Sequence, residues 1–500
     1  MSTAPRSAED PDFVPAERFA LHVETIAERE VRLRVRDSEF KEAIADLREA
    51  GARFITVFLA ETPDLALTAV LAFRGELVVV QAVAANDGMI AYRTMGDWWP
   101  ATAWPERELI ERDPRVISDR ATPSPPLTKP DADLIDRAVT GLDVFTIPYG
   151  PVRSGIFEAI QFQIETGGED VPRLQTRPFF KHRGIEARFT GFSPDVAVHV
   201  AERVAGIASC SYATAFSQAV ERAVGVEPPA RAQRWRAIHC ELERMACHLD
   251  VIAKEAETTA LYVGLARFQI LKERVQRVRA RLTGSRFGRG AIIPGGVRAD
   301  GAIGLDELCD ELDALERDLT HDRRLFVGTS SMTDRLIGGG HLDRILVEDY
   351  CAVGPLARGS GVSTDARHER PYGDYRRLGL QVIVHRAGDA MARINVRFGE
   401  LSESLRLIRQ AIEQLRRREG PLHTPLPQRA TGTACGWAEA PQGELLFWVE
   451  VRDGLVHRVH IASPSLRNWA LFDHAFPKDV LTDFAFIEHS FGLTPAGADR

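Results

Sequence analysis

One segment divides this chain into two kinds of sequence. Residues 121–133, ATPSPPLTKPDAD, carry four prolines and no apolar periodicity. Proline fixes φ and removes a backbone donor, so neither a helix interior nor a central strand runs through such a stretch. It reads as a linker between domains. On its N-terminal side, ARFITVFLAE and ALTAVLAFRGELVVVQAVAA have the runs expected of strands, the second turning near Arg74 and Gly75. On its C-terminal side, after strand-like runs closed by Gly167 and Gly168, helical patterns cover roughly 195–224, 230–282, 306–325 and 399–418. Within 235–249, Ile238, Leu242, Met245 and Leu249 recur at helical spacing with charges between them. The tail, GELLFWVEVRDGLVHRVHIASPS, reads as a hairpin turning at Asp453 and Gly454.

The fold class expected is α+β. A disordered start, 1–18, precedes a small α+β domain at 19–118. A proline-rich linker, 119–145, then leads to a large, mainly helical domain with a minor antiparallel sheet at 146–500. Charge and composition exclude several functions. The 63 basic and 71 acidic residues give a net charge of −8, against the basic surface of a dedicated nucleic-acid binder. Lysine is nearly absent, at Lys41, Lys129, Lys181, Lys254, Lys272 and Lys478 only, and no Gly-Lys-Ser/Thr forms a P-loop. No apolar run approaches the ~20 residues that span a bilayer. The start lacks a charged region followed by an apolar one, so a cytoplasmic location is expected. The six cysteines, Cys210, Cys240, Cys247, Cys309, Cys351 and Cys435, include no pair three residues apart. That argues against a zinc ribbon, a thioredoxin-like site and a ferredoxin-type cluster.

Three clusters invite chemistry. His239, Cys240, Cys247 and His248 share one helical stretch, but the two cysteines stand about 10 Å apart along its axis, so core packing is the better reading. KHRGIEAR at 181–188 gathers cations, a histidine and a carboxylate around Gly184, which suits either an electrostatic site or a solvated face. GPLARGSGVSTDARHERPYGDY at 354–375 lacks the third glycine of a dinucleotide fingerprint. A rigid loop held by arginine–carboxylate pairs accounts for it better, and direct NAD chemistry is disfavoured.

Taken in order, these segments resemble one family. ERVAGIASCSYATAFSQAVERAVGVEPPARAQRWRAIHCELERMACHL, TGSRFGRGAIIPGGV, the 354–375 loop and GDAMARINVRFGELSESLRLI are similar to the large subunit of membrane-bound (group 4) nickel–iron hydrogenases. They equally resemble the related 49-kilodalton subunit of respiratory complex I. Ahead of the linker, Trp104, Glu106, Arg107 and Glu108 resemble the Trp-x-Glu-Arg-Glu signature of the 30-kilodalton subunit. The fusion of the two is the arrangement of the hydrogenase-3 and hydrogenase-4 large subunits.

The departures carry as much information. The resemblance implies two Cys-x-x-Cys pairs holding nickel and iron, because a soft, anionic ligand set is required. Here they align with Ala205 and Ala208, and with Thr494 and Gly497, so no metal is expected. The resemblance also implies a quinone-binding histidine and tyrosine, which align with Phe157 and Gly206. Tyr212 and Glu158 are then the candidates left facing the cavity, with Cys210 nearby. For Tyr212, a hydrogen bond to a carbonyl oxygen and a buried structural role both stand. His182, Arg183 and Glu186 match a motif that lies, in the family, beside the iron–sulfur cluster of the partner subunit. Arg358, Asp365, Arg367, Arg393, Arg397 and Glu400 match later motifs, as structural ion pairs or as redox groups.

The expectation is a subunit of a complex I-related redox complex resembling the energy-converting hydrogenase-related complexes, with no cofactor on this chain and a quinone possible at the interface. The implied partners are an iron–sulfur small subunit like the 20-kilodalton subunit of complex I, a ferredoxin-like subunit and antiporter-like membrane subunits, but no nucleic acid. They would attach the chain to the inner face of the cytoplasmic membrane. A non-catalytic scaffold, its cavity plugged by Phe157, Ile160 and Tyr212, is the alternative.

Overall fold

A computed structural model describes residues 2–3, 14–61, 64–83, 88–119, 144–153, 158–301, 303–417 and 419–500. Most of the expected linker, and Phe157, lie outside the described residues. The chain forms two compact units and the architecture is α+β.

The first unit comprises residues 1–138 with 177–182 and 349–351. Its sheet runs in the order Ser2–Thr3, Ala20–Ala27, Glu30–Val35, Glu76–Val83, Ala66–Phe73, Arg53–Ala60. Glu30–Val35 and Glu76–Val83 pair in parallel, and the other neighbours are antiparallel. The hairpin expected at Arg74 and Gly75 is present, both residues having positive φ. The helix Phe40–Glu49 buries Phe40, Ala43, Ile44 and Leu47, one face at helical spacing. Glu106 of the tryptophan signature is fully buried. It accepts from the Tyr92 and Thr94 hydroxyls, each at 2.7 Å, and from the Met95 N–H at 2.8 Å. The signature is therefore a packing knot of this unit: its carboxylate satisfies a turn that would otherwise bury unpaired donors.

Two expectations change here. The stretch 1–18 is not wholly disordered: Ser2–Thr3 pair with the next strand, and Val14 and Ala16 are buried beside a short helix at Pro15–Phe19. The boundary at 118 is also too simple, because residues 177–182 and 349–351 join this unit, Cys351 packing into its core.

The second unit comprises 139–176, 183–348 and 352–500. Its long helices are Ser209–Val224, Ala230–Thr258, Tyr262–Thr283, Leu305–Val327 and Ala390–Arg417. Strands Gly432–Ala440, Gly443–Arg452 and Leu455–Ala462 form an antiparallel sheet with the expected turn at Asp453 and Gly454. Ser209–Val224 lies directly on the first of these strands. A Cβ on Gly436 would collide with the backbone of Ala215 and Ala219, so glycine sets that spacing.

Three helix boundaries differ from the periodicity. The stretch 195–224 breaks at a turn closed by the Ser209 hydroxyl, which donates to the Glu202 and Gly206 carbonyls. The stretch 230–282 breaks after Thr258, where the hydroxyls of Thr258 and Thr259 bond back to the Glu255 carbonyl and compete with the helix. The last helix starts at Ala390 rather than 399, since Gly399 sits inside it, giving Ile383 room to pack.

Candidate functional site

Two turns face one another at one end of the second unit. The first holds Ala205 and a single 3-10 turn, Gly206–Ala208, ahead of the Ser209–Val224 helix. The second follows Gly492, whose left-handed conformation ends the Phe484–Phe491 helix, and contains Thr494 and the Pro495–Ala498 turn. Arg183 joins them: its Nη2 donates to the Val204 carbonyl at 2.6 Å and the Ala496 carbonyl at 2.5 Å. The Arg183 N–H also donates to the Asp499 carbonyl. Nearby, Glu186 accepts from Arg500 Nε at 3.0 Å and from the Ile461 N–H at 2.9 Å. His182 belongs to the first unit and bonds to Arg112 there.

Beside the second turn opens a cavity of about 430 Å³. Glu158 and Thr494 line it, and Glu158 accepts from the Thr494 hydroxyl at 2.5 Å and the Ala496 N–H at 2.8 Å. Tyr212 is not among the lining residues. Its hydroxyl donates to Ser463 Oγ at 3.3 Å and its ring packs edge-on against Phe447. Burial pushes the Tyr212 hydroxyl up to about 12, although Ser463, Arg500 and Arg183 act the other way. Of the two cavity candidates, the structure brings Glu158 to the opening and holds Tyr212 in the packing behind it.

Sequence reasoning missed most of the wall. Asp250 receives Lys272 at 2.6 Å and Lys254 at 3.2 Å, and all three line the cavity. Glu488 is clamped by both Nη atoms of Arg153. His489 Nδ1 is buried with no hydrogen-bond partner among the described residues, and burial, with Lys254 and Arg153, holds its imidazole down at about 4. A signal existed: two of only six lysines fall on the consecutive helices that flank this space.

The metal-like cluster on the Ala230–Thr258 helix is consumed by packing. His239 stacks on Trp235, Cys240 lies 3.4 Å from Thr214 Oγ1, Cys247 donates to the Ile207 carbonyl, and His248 bonds Glu400 at 2.8 Å. Cys210 sits under Arg279, its backbone N–H donating to Glu243 at 2.6 Å, and burial pushes its thiol well up.

The 354–375 loop is held as expected by arginine–carboxylate pairs. Arg358 bonds Glu400 at 2.7 Å and Glu439 at 2.8 Å, while Arg367 bonds Asp365 at 2.7 Å and Glu241 at 2.9 Å. Gly359 is close-packed on Arg393, which explains the glycine without a phosphate. Two of the expected ion-pair formers behave differently. Arg393 donates to Ser490 Oγ and to the carbonyls of Gly340 and Gly388, and Arg397 to those of Arg393 and Phe491. Neither forms an ion pair among the described residues, because backbone carbonyls at the helix junction take their donors.

Long helices pack around this charged cavity, with a small sheet alongside. Comparisons with known proteins give the family. Residues 258–430 match the model of the respiratory-chain NADH dehydrogenase 49 Kd subunit. The carbon monoxide-induced hydrogenase of Rhodospirillum rubrum is 30% identical over 353 residues, spanning 70% of this chain and 97% of that one. Formate hydrogenlyase subunit 5 of Escherichia coli is 27% identical over 80% of this chain and 75% of its own. A chain from the membrane-bound sulfane sulfur reductase, an archaeal respiratory membrane complex, superposes with a TM-score of 0.68 at 26% identity, covering 72% of this chain and 99% of that one. The chain belongs to the family of the complex I 49-kilodalton subunit and the membrane-bound hydrogenase large subunits. No helix among the described residues is long and apolar enough to cross a membrane.

Proposed function

We propose that this chain is the large subunit of a membrane-attached, complex I-related redox complex that works without a nickel–iron centre. The observation that carries the reading is the packing at Gly497. A Cβ there would come within 2.7 Å of Ser463 Oγ, so this position has no room for a thiolate unless Ser463 moves. Around it, Ala205 and Ala208 offer no ligand atom, and the Thr494 hydroxyl is donated to Glu158. The donor set does not fit a centre that needs four soft anionic ligands.

In this reading an iron–sulfur small subunit supplies electrons, and a ferredoxin-like subunit and antiporter-like membrane subunits complete the complex. Arg183 would sit toward the partner's cluster, where a cation favours the reduced, more negative state. The acceptor, a quinone-like molecule, would enter the cavity beside Glu158. A cavity of this size, partly apolar and rimmed by a few polar groups, suits a small organic ligand. Of the three plugs of the scaffold alternative, Phe157 lies outside the described residues, and Ile160 and Tyr212 do not line this cavity.

The test is acceptor-dependent oxidation by the purified complex with a water-soluble quinone analogue. Glu158→Gln should lower turnover at least about tenfold with assembly intact. Tyr212→Phe should leave turnover unchanged. An assembled complex with no quinone-dependent turnover would favour the scaffold.

A further inference from the structure

The Ala230–Thr258 helix places Glu255 one turn beyond Val251, and Val251 and Lys254 both line the cavity. Glu255 is fully buried, and neither of its carboxyl oxygens has a hydrogen-bond partner among the described residues. Arg393 and Arg397 of the Ala390–Arg417 helix, packed against it, are the charges that act on it. Arg393 Nη2 and Arg397 Nε are also buried and have no hydrogen-bond partner among the described residues. A carboxyl group with both oxygens unpaired and two guanidiniums with one unpaired nitrogen each, close enough for their charges to act on it, are the arrangement of a shared small polar occupant. Buried water is the usual one, since it bridges groups that cannot reach each other.

The junction also touches the cavity. A Cβ on Gly492, which lines the cavity, would collide with Arg397 Nη2. Arg397 therefore stands directly behind the cavity wall, and its charge acts on Glu255. We propose that Glu255 is a buried proton-binding site, bridged by ordered water to Arg393 and Arg397, that takes up a proton when the cavity gains negative charge and releases it when that charge leaves. The proton comes from solvent by way of the cavity; an O–H bond forms and later breaks, and no electron passes through the site.

Two opposed effects poise the group. Burial pushes the Glu255 carboxyl well above its ordinary range, and the two guanidiniums pull it back. Those cations are uneasy themselves, burial lowering Arg393 to about 9 and Arg397 to about 10. The remaining charges around the junction are fixed by other partners. Glu400 is bound by Arg358 and His248, Asp389 accepts the Gly338 and Ala392 N–H groups, and Asp479 accepts the Gly340 N–H. Glu488 is held by Arg153 and Asp250 by its two lysines, while His489 adds a neutral imidazole from the Phe484–Phe491 helix.

This proposal rests on the cavity as the place where charge changes. The test is infrared difference spectroscopy of the purified complex in its resting and reduced states, in H₂O and D₂O. A protonated-carboxyl C=O band that shifts in D₂O, changes amplitude on reduction and is missing in Glu255→Gln is expected. Identical spectra from the native and Glu255→Gln complexes would overturn it. Should Glu255→Gln fail to assemble, Glu255→Asp decides: a displaced band supports the site and an unmoved band refutes it. A complex without acceptor turnover that still shows the band removes the cavity reading and the coupling to it. A working complex with no such band removes the carboxyl alone.

Discussion

The same two helices, Ala230–Thr258 and Ala390–Arg417, carry buried charge at two levels, and the levels are built differently. Around Glu241, Arg244, His248 and Glu400, every charge has a partner: Arg358, Arg367 and Asp365 close the set, with Ser404 and Tyr375 hydrogen-bonded to Glu241. Around Glu255, Arg393 and Arg397, among the described residues, the carboxyl has no hydrogen-bond partner and the cations bond only carbonyls and a serine. A matched network fixes the 354–375 loop in one arrangement. An unmatched one leaves a protonation state that can change. The difference separates what holds this fold from what can respond in it.

The largest effect expected from breaking the comparison is at the matched level. Glu400→Ala removes the buried carboxylate shared by Arg358, Arg244 and His248 and should cost about 3–5 kcal/mol, read by urea unfolding or by loss of assembly. Next comes acid. Burial holds His239 down at about 3 and His248 at about 4, so the folded protein keeps them neutral while the unfolded chain takes up protons below about 6.5. Glu400 adds to this: burial pushes its carboxyl up, but Arg358 and His248 hold it well below its ordinary range. Stability should therefore fall as pH drops from about 6.5 toward 4, by about 3 kcal/mol for each histidine. Unfolding midpoints across that range check the slope, which His248→Gln should flatten.

Smaller effects sharpen the contrast. Glu255→Gln removes a carboxyl with no hydrogen-bond partner among the described residues, so it should change stability by less than about 1 kcal/mol, against the several lost at Glu400. Equal losses at the two glutamates, measured by thermal unfolding of the same complex, would erase the distinction.

How far this was legible in the sequence follows the same division. Turns at Arg74–Gly75 and Asp453–Gly454 could be read because their chemistry is local. The pairing of Arg358, Asp365 and Arg367 was legible because those residues lie within ten positions of one another, beside glycines that demand close packing. Arg393 and Arg397 looked the same on the page as Arg358. Only three-dimensional packing, which gives their donors to carbonyls at a helix junction, tells them apart. Beyond Glu158, the cavity wall was hidden for a similar reason: Asp250, Lys272 and Glu488 come from three separate helices. The break after Thr258 lay within a continuous helical pattern, since threonine back-bonding leaves no mark on apolar periodicity.

On the proposed reading, a redox scaffold of the hydrogenase and complex I type works here through a charged cavity and not through a metal. Elemental analysis of the purified complex, alongside its quinone-dependent turnover, tests it most directly. Turnover with nickel far below one atom per chain is the predicted result. One nickel per chain, retained through purification, would contradict it.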